Sequence, residues 1–301
     1  LRSPARRSGS TTRMKGKVTN MGMKASNKIA TFFKYFVLIL VGVIMIYPLL
    51  WMISATFKDN SEIFAGISLW IKKPTLDGYR NFGGSINILQ AMLNTYSYVI
   101  PKVICTVVSA CVAAYGFGRF DFPGRKLMFN IMLATLFLPQ VVLNVPQYLL
   151  YNKFGWVDSP FYLAIWVHCA FATETYFVYQ LVQFMRNVPR DLDEAAMLDG
   201  CSKIGVLFKI LVPVVQPSIV TASIFAFYWI WQDFFLPLIF VGRPKKYTIP
   251  LALNMYTDPN SYNNYGGLFA MSVISLLPVI LVFIKFQKYL VEGIATDGIK
   301  G

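Results

Sequence analysis

The sequence predicts an all-α, polytopic membrane protein with about six transmembrane helices and one small helix–turn–helix loop on the cytoplasmic side. Three observations carry this. Of the 301 residues, 56% are apolar and only 14% are charged, whereas a soluble domain carries about 25% charged residues. Six stretches approach the roughly 20 apolar residues that a helix needs to cross a bilayer. Nine of the 28 basic residues lie in residues 1–34, with no acid among them, directly ahead of the first apolar run. That is the pattern of a cytoplasmic tail held at an anionic leaflet.

This tail, residues 1–34, is the first of three segments. Its residues 1–13 (LRSPARRSGSTTR) precede Met14 and are expected to be disordered, so the tail is read as partly disordered. Because the formal charge of +14 owes so much to it, the charge speaks for a membrane surface and against nucleic acid. The run FVLILVGVIMIYPLLWMI exceeds a usual signal core and reads as an uncleaved anchor. It opens the transmembrane domain, 35–290, and a short cytoplasmic C-terminal tail follows at 291–301.

The expected spans are 35–56, 93–116, 127–149, 160–185, 214–241 and 267–287. An even number puts both termini on one side, and the basic tail puts that side in the cytoplasm. Segments assigned inside hold 18 Lys and Arg against 8 outside, but without the tail the counts are 9 and 8, so the orientation rests on the tail. Prolines within the spans (Pro48, Pro101, Pro139, Pro146, Pro237, Pro278) each remove a backbone donor and invite a kink. Cys105, Cys111 and Cys169 sit in apolar runs, Cys201 sits in the acidic loop, and no CxxC occurs. Buried structural cysteine is expected, with no disulfide framework and no metal site.

Polar groups inside the spans are the informative exceptions. Glu174 and Asp233 would each cost a few kcal/mol facing lipid at depth, so they must face the bundle interior, water or a partner chain. They either line a polar path or brace helices through a buried hydrogen bond. Lys102 is expected to snorkel outward. His168 precedes Glu174 by six positions, an offset around a helix that argues against a relay. Asn94, Gln140, Asn144, Gln147 and Gln232 are amides that can bind hydroxyls. Tyr228, Trp231 and Trp166 can stack on sugar faces or serve only as anchors and packing. The candidate translocation path is Asn94, Gln140, Asn144, Glu174, Tyr228, Trp231, Gln232 and Asp233. No catalytic residues are assigned.

Between spans four and five lies RNVPRDLDEAAMLDGCSKIGVLFKILVPVVQP, residues 186–217, which holds four of the chain's 14 acids within positions 191–199. Pro189 suits a first turn, and Asp191, Asp193 and Glu194 complement the positive end of the helix dipole. Gly200 is a natural stop and Ser202 can cap a second helix, which Pro213 ends. Leu192, Ala195, Ala196, Leu198, Ile204, Leu207 and Leu211 give both pieces an apolar side. On these grounds the loop is either a well-capped connector or a docking device.

Several stretches resemble one family. EAAMLDG followed by Ile210 and Pro213 is similar to the EAA loop of membrane subunits in bacterial binding-protein-dependent ABC importers. YPLLWMISATFK, AAYGFGRFDFPGRK, LPQVVLNVPQYLL, FYWIWQDFFLPLIF, YTIPLAL and GIATDGIKG resemble the carbohydrate-uptake branch, and the second membrane subunit of maltose-type systems in particular. The likeness covers nearly all of the chain after residue 35. Departures are WQDF at 231–234, where Asn is usual as the second residue, NT at 94–95, where NS is common, and the ending I-L-V-P.

The resemblance implies a non-enzymatic permease subunit of the bacterial cytoplasmic (inner) membrane, multi-pass, with both termini cytoplasmic. It implies a second homologous permease subunit as heterodimer partner, two ATP-binding cassette subunits and an extracytoplasmic solute-binding protein. ATP and magnesium would sit on the ATPase partner and no cofactor on this chain, which has no GxxxxGK[ST] loop. Glu194, Ala195, Ala196, Asp199, Gly200, Ile210 and Pro213 would form the ATPase-coupling loop. The cargo would be a sugar or oligosaccharide moved by alternating access, and Arg243, Lys245, Lys246 and Lys102 leave room for an acidic one. The alternative is an ion- or proton-coupled secondary transporter using Glu174 and Asp233; a membrane enzyme fits least, since no nucleophile–base pair is in view.

Overall fold

A computed structural model describes residues 11–80, 87–256 and 264–298, with side chains described between residues 31 and 290 of these ranges. The basic residues 2–7, the loop residues 81–86 and 257–263, and the last three residues lie outside the described residues. Among the described residues every regular element is helical.

The chain opens with α1, Thr11–Ala55, so the helix takes in much of the basic segment before it reaches the apolar run. Its apolar residues from Phe32 to Ile53 are mostly exposed, as befits a lipid-facing span, and Trp51 meets the Phe269 ring edge-on at 5.3 Å. A loop follows with two short helices, α2 (Asn60–Ala65) and α3 (Asp77–Arg80). Glu62 accepts the Lys72 N–H at 2.7 Å, Ser54 Oγ donates to the Leu69 carbonyl at 2.7 Å, and Lys58 Nζ donates to the Ser68 carbonyl, which staples this loop to the end of α1. A Cβ on Gly78 would lie 2.7 Å from the Gly266 carbonyl, so only glycine permits this crossing.

The central element is α4, Ile88–Arg119, capped by Asn87 Oδ1, which accepts the N–H groups of Leu89 and Gln90. Ala110, Ala114 and Gly118 fall at four-residue spacing on one buried face. Small residues at that spacing let a second helix approach closely, which matters because burial from lipid lacks the hydrophobic gain of burial from water. The partner is α8, whose Met185 Cβ lies 3.6 Å from where a Gly118 Cβ would be.

The six expected spans differ in continuity. Among the described residues, α1, α4 and α15 (Tyr265–Gly298) contain the three segments long and apolar enough to cross a membrane unbroken. The third span is bent by 102° between a helix at Arg125–Phe137 (α5, Arg125–Ala134, plus one 3₁₀ turn) and α6, Gln140–Lys153. Pro139, which cannot supply an N–H to the preceding turn, stands at this break. The fourth span is not one helix. It comprises α7 (Leu163–Trp166), a 3₁₀ segment Val167–Phe171 and α8, Thr175–Asn187. Between them Ala172 adopts φ +55°, the left-handed region, at a cost of about 1–2 kcal/mol for a non-glycine residue.

Next come α9 (Asp191–Leu198), α10 (Lys203–Gly205), a π-helical segment Val206–Leu211 and α11, Val212–Val214. A 79° bend leads into α12, Gln216–Trp231, which is followed by α13 (Phe235–Phe240), α14 (Ile249–Met255) and α15, Tyr265–Gly298. Tyr98 Oη donates to the Ile230 carbonyl at 3.2 Å, and Trp231 Nε1 donates to the Ser275 carbonyl at 3.1 Å. The core is thus α4 at the centre, with α8 and α12 on it and α15 beyond α12.

Candidate translocation cavity and coupling hairpin

The break in the fourth span has a structural use. Irregular backbone survives at membrane depth only where its polar groups are met or face a cavity. Both hold here. Ser109 Oγ of α4 donates to the Cys169 carbonyl at 2.7 Å, and Thr173 Oγ1 donates to the His168 carbonyl at 3.1 Å. Beside them opens a cavity of about 750 Å³, lined by parts of α4, α6, α8 and α12.

Four of the eight candidate path residues line this cavity: Gln140, Asn144, Glu174 and Asp233. Asn144 is buried at the cavity wall, and its Oδ1 has no hydrogen-bond partner among the described residues. Gln140 Nε2 donates weakly to Gln147 Oε1 at 3.4 Å, and Gln147 also lines the cavity. Glu174 Oε1 accepts from Cys169 Sγ at 3.5 Å, and the nearest polar atoms of His168, Cys169 and Glu174 lie within 4.8 Å of one another. The helical offset expected between His168 and Glu174 does not apply, because the backbone between them is a 3₁₀ turn and a left-handed residue.

The other four lie elsewhere. Tyr228, Trp231 and Gln232 line a second cavity of about 520 Å³ against α14 and α15. Trp231 itself is buried, edge-on to Tyr96 at 5.0 Å and stacked with Phe227 at 5.4 Å, so it packs helices and offers no open face for a sugar. Asn94 is also committed: its Nδ2 donates to the carbonyls of Lys245 at 2.9 Å and Tyr247 at 3.1 Å, tying α4 to the loop before α14.

Lys102, His168 and Trp229, outside the candidate set, also line the main cavity. Lys102 does not snorkel. It is 5% exposed and its Nζ lies 3.8 Å from Asp233 Oδ2, because the carboxylate on the neighbouring element offers a nearer partner than the membrane surface. Trp229 lies in the last turn of α12 and Asp233 just beyond its end, and both line the cavity. Three of the four basic groups that leave room for an acidic sugar have a carboxylate partner, but Arg243 and Lys246 share the single Asp158. Arg243 Nε meets Asp158 Oδ2 at 2.6 Å and Lys246 Nζ meets Asp158 Oδ1 at 3.4 Å, as Lys102 meets Asp233.

The acidic loop folds as its capping residues dictate. Gly200 adopts φ +82°, with Cys201 N–H donating to the Ala196 carbonyl at 2.9 Å and Gly200 N–H to Met197 at 3.1 Å. This pair of bonds is a Schellman motif, which closes α9. Ser202 Oγ then accepts the Gly205 N–H at 3.1 Å and starts the return segment. Glu194, Ala195, Asp199, Gly200 and Pro213 are exposed, Ile210 is half-buried and Ala196 is buried. The crest is apolar and open: Leu198 is 89% exposed and Ile204 70% exposed. Asp193 departs from the docking charge its position suggests. It is buried, with Oδ2 3.1 Å from Arg119 Nε, because the register of α9 turns it inward onto the end of α4.

Residues 110–296 match the family described as binding-protein-dependent transport system inner membrane component. The chain is 30% identical over 260 residues to the diacetylchitobiose uptake system permease protein NgcG of Streptomyces coelicolor, covering 86% of this chain and 85% of that one. It is 30% identical to the trehalose/maltose transport system permease protein MalG of Thermococcus litoralis, covering 87% and 94%. Identity to the sulfoquinovosyl glycerol transport system permease protein SmoH of Agrobacterium fabrum is 28%, covering 85% and 89%. Among solved structures, a chain of a bacterial ABC transporter involved in the import of the acidic polysaccharide alginate superposes with a TM-score of 0.71 at 18% identity, covering 95% of this chain and 99% of that one.

Proposed function

This chain belongs to the binding-protein-dependent transport system inner membrane components, the permease subunits of ABC importers, and we propose that it is one half of a heterodimeric permease for a sugar or oligosaccharide. Its working partners are a second permease, ATP-binding subunits and a solute-binding protein. In this reading two ATP-binding cassette subunits carry the ATP and magnesium, and the hairpin at 186–217 receives their motion. Both termini and the hairpin lie on the cytoplasmic side.

The observation that best supports the reading is the joining of two features on one helix. The last turn of α4 holds the hairpin, and the middle of α4 lines the 750 Å³ cavity through Lys102 and Thr106. Closure of the ATPase pair would tilt the hairpin, and the permease halves would exchange outward-open for inward-open arrangements. Gln140, Asn144, Glu174 and Asp233 form this chain's share of the path, where unpaired amide groups and carboxylates can exchange hydrogen bonds with successive hydroxyls.

A carbohydrate cargo is supported by relatives named for diacetylchitobiose, trehalose, maltose and sulfoquinovosyl glycerol. The pairing of Lys102 with Asp233, and of Arg243 and Lys246 with the single Asp158, offsets only part of that positive charge, so an acidic sugar stays within the reading. The test is uptake of a panel of labelled neutral and acidic oligosaccharides by proteoliposomes containing the full complex and its binding protein. Saturable, binding-protein-dependent uptake of one sugar class is expected; uptake of amino acids or inorganic ions instead, with no sugar transported, would refute the carbohydrate assignment.

A further inference from the structure

The back of the hairpin is gripped at several points by one short stretch of α4 and its exit. Arg119 Nε lies 3.1 Å from Asp193 Oδ2 within α9, and Arg119 Nη1 donates to the Val188 carbonyl at 3.0 Å just before α9. One turn earlier, Tyr115 Oη donates to the Lys203 carbonyl at 2.8 Å just after α9. Lys203 Nζ in turn sits 5.3 Å over the Phe120 ring. Entry, body and exit of the hairpin are therefore all held by residues 115–120, while Glu194, Leu198 and Asp199 on the opposite side remain exposed.

The Arg119–Asp193 pair is not a surface ornament. Their side chains are 4% and 12% exposed; the contact is an ion pair without hydrogen-bond geometry, since Arg119 Nε and Nη2 and Asp193 Oδ1 have no hydrogen-bond partner among the described residues. A buried pair gains little net stability over apolar residues of the same volume, so its use lies more in fixing geometry. The same helix carries Lys102 into the cavity beside Asp233. From Lys102 to Arg119 is about 25 Å of helix at about 1.5 Å per residue.

We propose that Arg119, with Asp193 and Tyr115, is a positioning strut that makes the hairpin and α4 one rigid body, so that displacement of the hairpin shifts Lys102 relative to Asp233. The covalent route through α8 would by itself carry the motion to the fourth span; the strut carries it to the second. This rests on the importer reading above, and it assigns to named side chains a transmission step that the family relationship leaves unspecified.

The test uses the complete complex, with both permeases, the ATPase subunits and the binding protein, in proteoliposomes, recording solute uptake and ATP hydrolysis together. Arg119→Met strands Asp193 and can impair assembly, so it is paired with Arg119→Met/Asp193→Leu, which removes both charges and keeps volume. The expected result for the double variant is normal recovery of assembled complex with uptake per ATP reduced at least fivefold. Tyr115→Phe, which removes a single hydrogen bond, is expected to reduce uptake per ATP about twofold. Assembled double variant and Tyr115→Phe complexes with wild-type uptake per ATP would overturn the proposal, because a purely structural role changes yield and not coupling. Absence of ATP-driven uptake in the unmodified complex would instead count against the importer reading, independently of Arg119.

Discussion

Lys102 Nζ of α4 lies 3.8 Å from Asp233 Oδ2, just beyond the end of α12, and this pair joins two elements that both line the main cavity. Asp233 also accepts the Leu236 N–H through Oδ1 at 3.2 Å, so the carboxylate starts α13 as well as neutralising the lysine. A charge-bearing chain at membrane depth is tolerated when its partner is this close.

Removing either partner strands the other. Lys102→Met or Asp233→Leu is expected to destabilise the permease by about 2–3 kcal/mol, below the usual cost of breaking a fully buried pair because Asp233 is partly open to the cavity. The Lys102→Met/Asp233→Leu double variant should recover more than half of that. Thermal inactivation in detergent micelles measures it, and a double variant no more stable than either single one would contradict the pairing.

Gly200 tests the hairpin's backbone. Its φ of +82° is unfavourable for side chains with a Cβ, yet a Cβ there would meet nothing within 4 Å. The cost of substitution is therefore conformational, roughly 1–2 kcal/mol for most residues and less for asparagine. Uptake per assembled complex should fall in the order Gly200→Asn, Gly200→Ala, Gly200→Val. Equal damage from asparagine and valine would show that a contact with a partner, and not the turn, sets the requirement.

The exposed crest makes a separate prediction. Burying a leucine is worth about 1.5–3 kcal/mol, so Leu198→Glu should weaken retention of the ATPase subunits at least about tenfold, equivalent to about 1.4 kcal/mol. Membrane insertion should be unchanged. Co-purification of ATPase with the variant permease gives the readout; full retention would move the docking surface elsewhere.

Most of the fold was legible in residue periodicity and capping chemistry. The length of the apolar runs announced the spans, and Gly200 and Ser202 announced the hairpin's stop and restart because αL closure and N-capping demand those residue types. What escaped was tertiary. Nothing in the run 160–185 signals that Ala172 will turn left-handed and bring His168, Cys169 and Glu174 together, since alanine is the residue least suggestive of a break. Lys102 could not be assigned inward without knowing that Asp233 stands opposite. Asp193 stands with Asp191 and Glu194 as a helix-starting charge, and one sequence does not reveal that Arg119 lies behind it.

The cavity assignment can be checked by chemistry. In a variant lacking the four native cysteines, Gln147→Cys should react with a small water-soluble maleimide, and the transported sugar should slow that reaction at least threefold. Val145→Cys, which lies on the exposed apolar side of α6 and does not line the cavity, should show no protection. Protection at both positions, or at neither, would contradict a path along α6.

The central claim is that energy enters from an ATPase partner through the hairpin, not from an ion gradient acting on Glu174 and Asp233. The most direct measurement is solute uptake by proteoliposomes holding the complete complex, with ATP enclosed or omitted and with a proton or sodium gradient imposed or collapsed. Uptake that requires enclosed ATP and the binding protein, and that persists when every gradient is collapsed, is the predicted result. Uptake driven by a gradient in the absence of ATP would contradict it.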